Sequence, residues 1–338
     1  MAKNEAIERV VLAIHSSSYD AKAYYDNATK AMQMANADNH KCLIIAPHFL
    51  SEEILNLLSP EAQGKKDYLR WELRPFWGTS RGIYNGKSVL ISAYDVIDQI
   101  LSHVVVSGNF PNLKTVIILG HSAGGQLVNR YAAGNDFETT IARPRNIAVK
   151  YLVMAPSSYV YFTPERFVRT PNSHFEIPVN PPAGFNNWGY GMENLFVYHK
   201  NRRITPEMMQ KNYAAKTILY LVGQKDKDPD DKSIGRSEAA MLQGRHRLER
   251  GRIYFDYLVH LFGPEIKNTQ RFVAVPDVGH SGRGLMCSVT ARLFIFGNIN
   301  PAGEKDFPSD SENKNYWDKK TLGIDKIPDK DENLLQTN

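Results

Sequence analysis

One stretch limits what this chain can fold into more than any other: Thr115-Val-Ile-Ile-Leu-Gly-His-Ser-Ala-Gly-Gly-Gln-Leu-Val-Asn-Arg-Tyr-Ala-Ala133. An aliphatic, β-branched run ends at Gly120, Ser122 and Gly124 follow, and residues of helical character begin at once. Gly-x-Ser-x-Gly alone is a weak pattern. Placed between a strand and a helix it is a specific one, because it forms a sharp turn that lifts the serine hydroxyl clear of the sheet. The glycines have a physical reason. Such a turn strains the serine backbone, and a side chain two residues away on either side would strike its neighbours. The helix then aims its N-terminus at the serine, where the Ala123 N–H and the helix dipole favour a developing negative charge. An ordinary serine in a tight glycine-rich turn is the competing reading, and the flanking strand and helix weigh against it.

The rest of the chain repeats the alternation. Short apolar runs at Arg9–Ile14, Cys42–Ala46, Thr115–Leu119, Val149–Met154, Thr217–Val222 and Arg271–Val275 read as strands covered on both faces. Ala21–Met34 and Ser88–Val106 read as helices, the second with apolar residues at three- and four-residue steps. The pattern predicts an α/β fold, a mostly parallel central sheet with helices on both faces. Residues 157–215 break it: they are long, aromatic and rich in Pro, Gly and Asn, and we read them as a cap inserted in a domain spanning 1–299. Residues 300–338 are dense in Lys, Asp, Glu and Asn and read as a polar C-terminal tail.

Bulk composition excludes several functions. The 338 residues carry 41 basic and 36 acidic side chains, a net charge of only +5, so nucleic acid is not an expected partner. The basic cluster Arg245, Arg247, Arg250 and Arg252 is interrupted by Glu249 and reads as a solvated helix face. The two cysteines, Cys42 and Cys287, sit among apolar residues and imply no disulfide framework. The N-terminus is charged and lacks the apolar stretch of a signal peptide. No run reaches the roughly 18 apolar residues of a membrane span, so a cytoplasmic location is expected. No metal-ligand spacing and no dinucleotide-binding glycine motif is present, and no cofactor is expected.

A serine needs a base to take its proton. Of the ten histidines, His280 alone follows a late strand and turn, Arg271-Phe-Val-Ala-Val-Pro-Asp-Val-Gly-His280. His15 and His121 lie at strand ends beside the serine and read as loop-shaping side chains. The orienting acid is expected between serine and histidine. Thr217-Ile-Leu-Tyr-Leu-Val-Gly-Gln-Lys-Asp-Lys-Asp228 supplies it, with Asp226 the choice and Asp228 the reserve. The loop after the first strand, Ala13-Ile-His-Ser-Ser-Ser-Tyr19, is where a second oxyanion donor is expected, with Ser17 assigned beside Ala123.

Together these pieces resemble the α/β-hydrolase superfamily, in its serine esterase and lipase branch, across residues 8–297. More narrowly, Gly120-His-Ser-Ala-Gly-Gly-Gln126, Ala155-Pro-Ser-Ser-Tyr159, Trp188-Gly-Tyr-Gly191 and Gln243-Gly-Arg-His-Arg-Leu248 resemble a smaller group of hydrolases, a likeness that carries no substrate. The superfamily resemblance implies an eight-stranded sheet, an acyl-enzyme intermediate and no cofactor. One departure stands out: Ser16 follows His15 where the superfamily has glycine. The expected activity is hydrolysis of a small or lipid-like carboxylic ester by Ser122, His280 and Asp226. An amidase or peptidase using the same three groups, and a non-catalytic binding protein on the same scaffold, are the alternatives.

Overall fold

The computed structural model describes residues 3–51, 55, 68–71, 76, 81–170 and 173–297. Six strands form where the aliphatic runs lie: β1 (Arg9–Ile14), β2 (Cys42–Ile45), β3 (Thr115–His121), β4 (Ala148–Met154), β5 (Thr217–Gly223) and β6 (Gln270–Val275). They make one sheet in the order β6-β5-β4-β3-β1-β2, every neighbouring pair parallel. The eight strands implied by resemblance are therefore six among the described residues. From β1 the chain passes to β2 on one side, and β3 then pairs with β1 on the other. In open parallel sheets the crevice for a ligand lies at the carboxyl ends of the strands at such a reversal. Ser122 directly follows β3 at this point.

Strand side chains alternate between two cores. Val10, Leu12, Val116, Ile118 and Tyr151 face one, closed by helices α2 (Ala93–Val106), α3 (Ala123–Gly134) and α6 (Arg247–Phe262). Val11, Ala13, Ile117, Leu119 and Leu152 face the other, closed by α1 (Ala21–Met34), α7 (Gly282–Met286) and α8 (Val289–Phe296). A parallel sheet buried on both sides needs continuous apolar runs, which is why these strands were legible as such.

Helix α2 starts five residues later than its apolar spacing suggested. Ser92 accepts the Asp95 N–H through its hydroxyl, while the Asp95 carboxylate accepts the Ser92 N–H at 2.8 Å. This reciprocal cap fixes the first turn at Ala93. Upstream, Lys87–Val89 pairs antiparallel with Gly82–Tyr84 instead.

Within residues 157–215 the chain forms the hairpin Arg166–Val168 with His174–Glu176, then α4 (Val197–Arg202) and α5 (Pro206–Tyr213). Trp188 lies edge-on to His199, and Tyr198 packs on Tyr94 of α2. Both are almost fully buried and belong to the core. The expected tail, 300–338, lies outside the described residues. Among the described residues no helix is long and apolar enough to cross a membrane, and both cysteines are free thiols.

The basic cluster is not a solvated face. Arg247 and Arg250 are completely buried. Arg250 donates to the carbonyls of Ser157, Gly235 and Gly244, and Arg247 meets two carboxylates. Periodicity could not distinguish these fully enclosed guanidiniums from exposed ones, because their partners come from distant loops.

The two-faced burial has a direct consequence. Ile118→Ala, in the middle of the sheet and fully enclosed, should lose about 2–5 kcal/mol of stability. Val106→Ala, half exposed at the end of α2, should change it by no more than about 0.5 kcal/mol. Urea denaturation of the two variants side by side measures both, and equal losses would contradict the burial described.

Candidate active site

Ser122 stands between β3 and α3 with φ 55° and ψ −117°. Glycine is required on both sides. A Cβ on Gly120 would strike the Gly124 carbonyl, and a Cβ on Gly124 would come within 2.5 Å of the Ile14 and His15 carbonyl oxygens. The same closeness brings the loop after β1 against the first turn of α3. The Ser122 N–H donates to the Met154 carbonyl at 2.9 Å, and the Ser122 carbonyl accepts the Gln126 N–H at 2.9 Å, opening the helix. The hydroxyl caps nothing on α3. It lies 3.1 Å from Nε2 of His280.

The His280 loop leaves β6 and folds over the end of β5. Gly223 ends β5, and a Cβ there would overlap the carbonyls of Val278 and Gly279. The Lys225 N–H donates to the Val278 carbonyl at 2.8 Å, and the Asp226 N–H closes a turn onto the Gly223 carbonyl at 3.0 Å. This Gly-x-x-Asp turn brings Asp226 Oδ2 to 2.8 Å from Nδ1 of His280. A carboxylate can only accept, so Nδ1 carries the hydrogen and Nε2 is left to face the serine hydroxyl. Asp226 is buried, whereas the His280 side chain keeps 21% of its exposure. Asp228 is elsewhere. It is exposed, and its carboxylate accepts the Asp230 N–H in its own loop at 2.8 Å.

Ala123 is the first residue of α3, so its N–H is one of the donors no carbonyl of the helix can reach. Ser17 sits exposed in the turn between Ser16 and Tyr19, where the Tyr19 N–H donates to the Ser16 carbonyl. Next to it, the buried His15 ring ties two loops together. Its Nδ1–H donates to the Ser16 carbonyl at 2.8 Å, and its Nε2 accepts the Phe49 N–H at 2.9 Å. Burial pushes this imidazole down to about 4. His121 packs against His280, ring centroids 4.5 Å apart, with Nδ1 hydrogen-bonded to the Tyr24 hydroxyl at 2.8 Å. Burial, and after it the charges of His280 and Arg247, hold His121 well below the usual imidazole range.

Two features of this cluster are not legible in the sequence. Tyr24 lies 97 residues from His121, within an ordinary amphipathic helix. Arg247 puts Nη1 3.4 Å from Asp226 Oδ1, yet stands in a run that reads as surface charge. The one available signal was the acidic loop Asp226–Asp231, which needs cations from somewhere.

Two solved structures are similar over most of the chain. Poly(aspartic acid) hydrolase-1 from Sphingomonas sp. KT-1 aligns with 87% of this chain and 89% of its own, with TM-score 0.53 and 18% identity. LpqC, a poly(3-hydroxybutyrate) depolymerase from Bordetella parapertussis, aligns with 91% of this chain and 82% of its own, with TM-score 0.53 and 22% identity. The chain has the α/β-hydrolase fold. No protein-family profile and no curated protein sequence matches it. Within this α/β-hydrolase fold, no group of three or more His, Cys, Asp or Glu side chains among the described residues is placed to hold a metal ion.

The buried histidines give the fold a pH dependence. Besides His15 and His121, burial pushes His199 down to about 3. Each ring stays neutral in the folded chain down to its lowered pKa but takes a proton in the unfolded chain near the ordinary 6.5. Their contribution is complete above pH 6.5 and is lost as pH falls toward 4. Asp98, raised to about 6 by burial, runs the other way and offsets part of this. The urea midpoint should therefore fall steadily on acidification below pH 6.5. Among the described residues neither ring nitrogen of His199 is hydrogen-bonded, so His199→Leu should make that slope shallower. An unchanged slope would count against this account.

Proposed function

We propose that this chain is a serine hydrolase that cleaves carboxylic esters through an acyl-enzyme. The observation that carries the reading is the unbroken chain from Ser122 Oγ to His280 Nε2 at 3.1 Å and from His280 Nδ1 to Asp226 Oδ2 at 2.8 Å. Three loops from three strand ends bring these groups within hydrogen-bond reach of one another, and an ordinary structural hydroxyl needs no such arrangement.

In the reaction, His280 takes the Ser122 proton through Nε2 as Oγ attacks the ester carbonyl carbon. The tetrahedral oxyanion is held by the Ala123 N–H at the start of α3 and by the Ser17 N–H from the loop after β1. His280, now an imidazolium stabilised by Asp226, returns the proton to the departing alkoxide. Water then enters, loses a proton to His280, attacks the acyl carbon and releases the acid and free Ser122. Residues 157–215 act as a lid over the acyl or alcohol group, since they leave the sheet after β4 at its carboxyl edge, beside the serine. The substrate is a small or lipid-like ester, and no cofactor takes part.

Ser122→Ala should reduce ester hydrolysis at least about 1000-fold while urea denaturation stays near wild type. Asp226→Asn should lose about 10⁴ in turnover by leaving the imidazole in the wrong tautomer, and Asp228→Asn should keep most of it. Turnover should also drop as pH is lowered across the imidazole range, about 8 to 5. A fluorophosphonate should label wild type but not Ser122→Ala, and the ester should turn over faster than its matched amide. Label or activity surviving in Ser122→Ala would end this reading.

A further inference from the structure

Arg247 opens α6 and is completely buried, as few arginines are. Its guanidinium is shared. Nη1 lies 2.6 Å from Asp231 Oδ2 and 3.4 Å from Asp226 Oδ1, and Nη2 donates to the Ser233 hydroxyl at 2.8 Å. Asp226 thus divides its oxygens, Oδ2 to His280 and Oδ1 to Arg247. Its main chain is held from the same helix, with the Leu248 N–H donating to the Asp226 carbonyl at 3.1 Å. A carboxylate gripped at one oxygen and at its carbonyl has little freedom to rotate away from the imidazole.

We infer that Arg247 is a positioning residue for Asp226: shared with Asp231, it fixes the carboxylate plane toward His280 and sets the electrostatic field in which His280 gains and loses its proton. The inference rests on the proposed Ser122–His280–Asp226 reaction and adds to it two residues that touch neither substrate nor serine. The charges balance as follows. Two carboxylates share one guanidinium, so the group carries a single net negative charge facing His280. Removing the cation raises that negative charge, and removing Asp231 cancels it.

The groups facing this cluster come from several elements. His280, in the loop after β6, packs at a tilt against His121 at the end of β3, and Tyr24 reaches His121 from α1. Tyr159, after β4, feels both Asp226 and Arg247; His246 at the start of α6 feels Asp226; and Arg250 one turn further feels Arg247. Burial keeps His121 neutral and Tyr159 protonated, and pushes His246 in the same direction as His121. Asp231 is an anion despite its partial burial, because the Ser233 N–H and hydroxyl and then Arg247 hold it well below the carboxylate range.

The test is kcat and KM against pH on a chromogenic ester for Arg247→Met, Arg247→Lys and Asp231→Asn, with active sites counted by fluorophosphonate titration. Arg247→Met should lower kcat by about 10- to 100-fold per active site, leave KM within about twofold, and move the acidic limb of the profile to higher pH. Asp231→Asn should move that limb to lower pH. Arg247→Lys should return the limb toward wild type while recovering only part of kcat, since an ammonium is a point charge without the planar fork. Should Arg247→Met fail to fold, Arg247→Met combined with Asp231→Asn removes one charge of each sign and is measured in its place. Its limb should stay near wild type with kcat still reduced. Limbs that do not move, or that move the same way in Arg247→Met and Asp231→Asn, would overturn the inference, as would a double variant with wild-type kcat. Ser122→Ala run alongside separates the two claims. If it stays active the triad itself is wrong; if it is dead while every Arg247 and Asp231 variant behaves as wild type, only the role of Arg247 falls.

Discussion

Ser122 holds a backbone conformation that costs a non-glycine residue about 1–3 kcal/mol, and much of the nearby structure serves to keep it there. The Met154 carbonyl fixes its N–H, Gln126 fixes its carbonyl, and the absent side chains at Gly120 and Gly124 let β1, β3 and α3 close in around it. With the main chain fixed from both ends, the hydroxyl is the one part of the residue left without a structural partner on its own helix. The strain therefore sets the direction of the Ser122 hydroxyl, and the sheet supplies the rigidity that strain requires.

The fold was legible because its signals are local. Alternate residues of β3 face opposite cores, so the strand must be apolar throughout, and the turn at its end needs glycines at fixed positions. Asp226 carried a similar signature, since Gly223 three residues earlier admits the loop of His280 and starts the turn that aims the carboxylate. The start of α2 was less clear. Apolar spacing continues back to Ser88, and only the mutual hydrogen bonds of Ser92 and Asp95 decide where the helix begins.

What stayed hidden depends on partners far away in the chain. Arg247 and Arg250 look like surface charge in a periodic helix, and their burial follows from carbonyls, carboxylates and a hydroxyl on loops up to 93 residues away. Tyr24 is another case, an amphipathic-helix residue whose hydroxyl meets His121 across two elements. The aromatic residues of 157–215 are a further case. Trp188 and Tyr198, in the segment read as a cap, lie in the core with Tyr94 and His199. Composition tells that a segment will bury its aromatics, not against what.

The serine and histidine are separated by 158 residues and the acid and histidine by 54, and each arrives on a different strand end. Asp226 and His280 follow the two strands of the β5–α6–β6 unit, and Ser122 follows β3, two strands away from β5 across β4. The cluster exists only when β3, β5 and β6 are all paired in register through β4, because a slip of one residue in a strand turns its side chains to the opposite face. The contacts that build it are long-range, up to 158 residues apart in the sequence. A partly folded form lacking the β6 edge of the sheet has the serine in its turn without the imidazole beside it. The Ser122–His280–Asp226 alignment is thus a readout of the pairing from β3 through β6, and a chain cut short before β6 would keep its glycine–serine turn with no imidazole beside it.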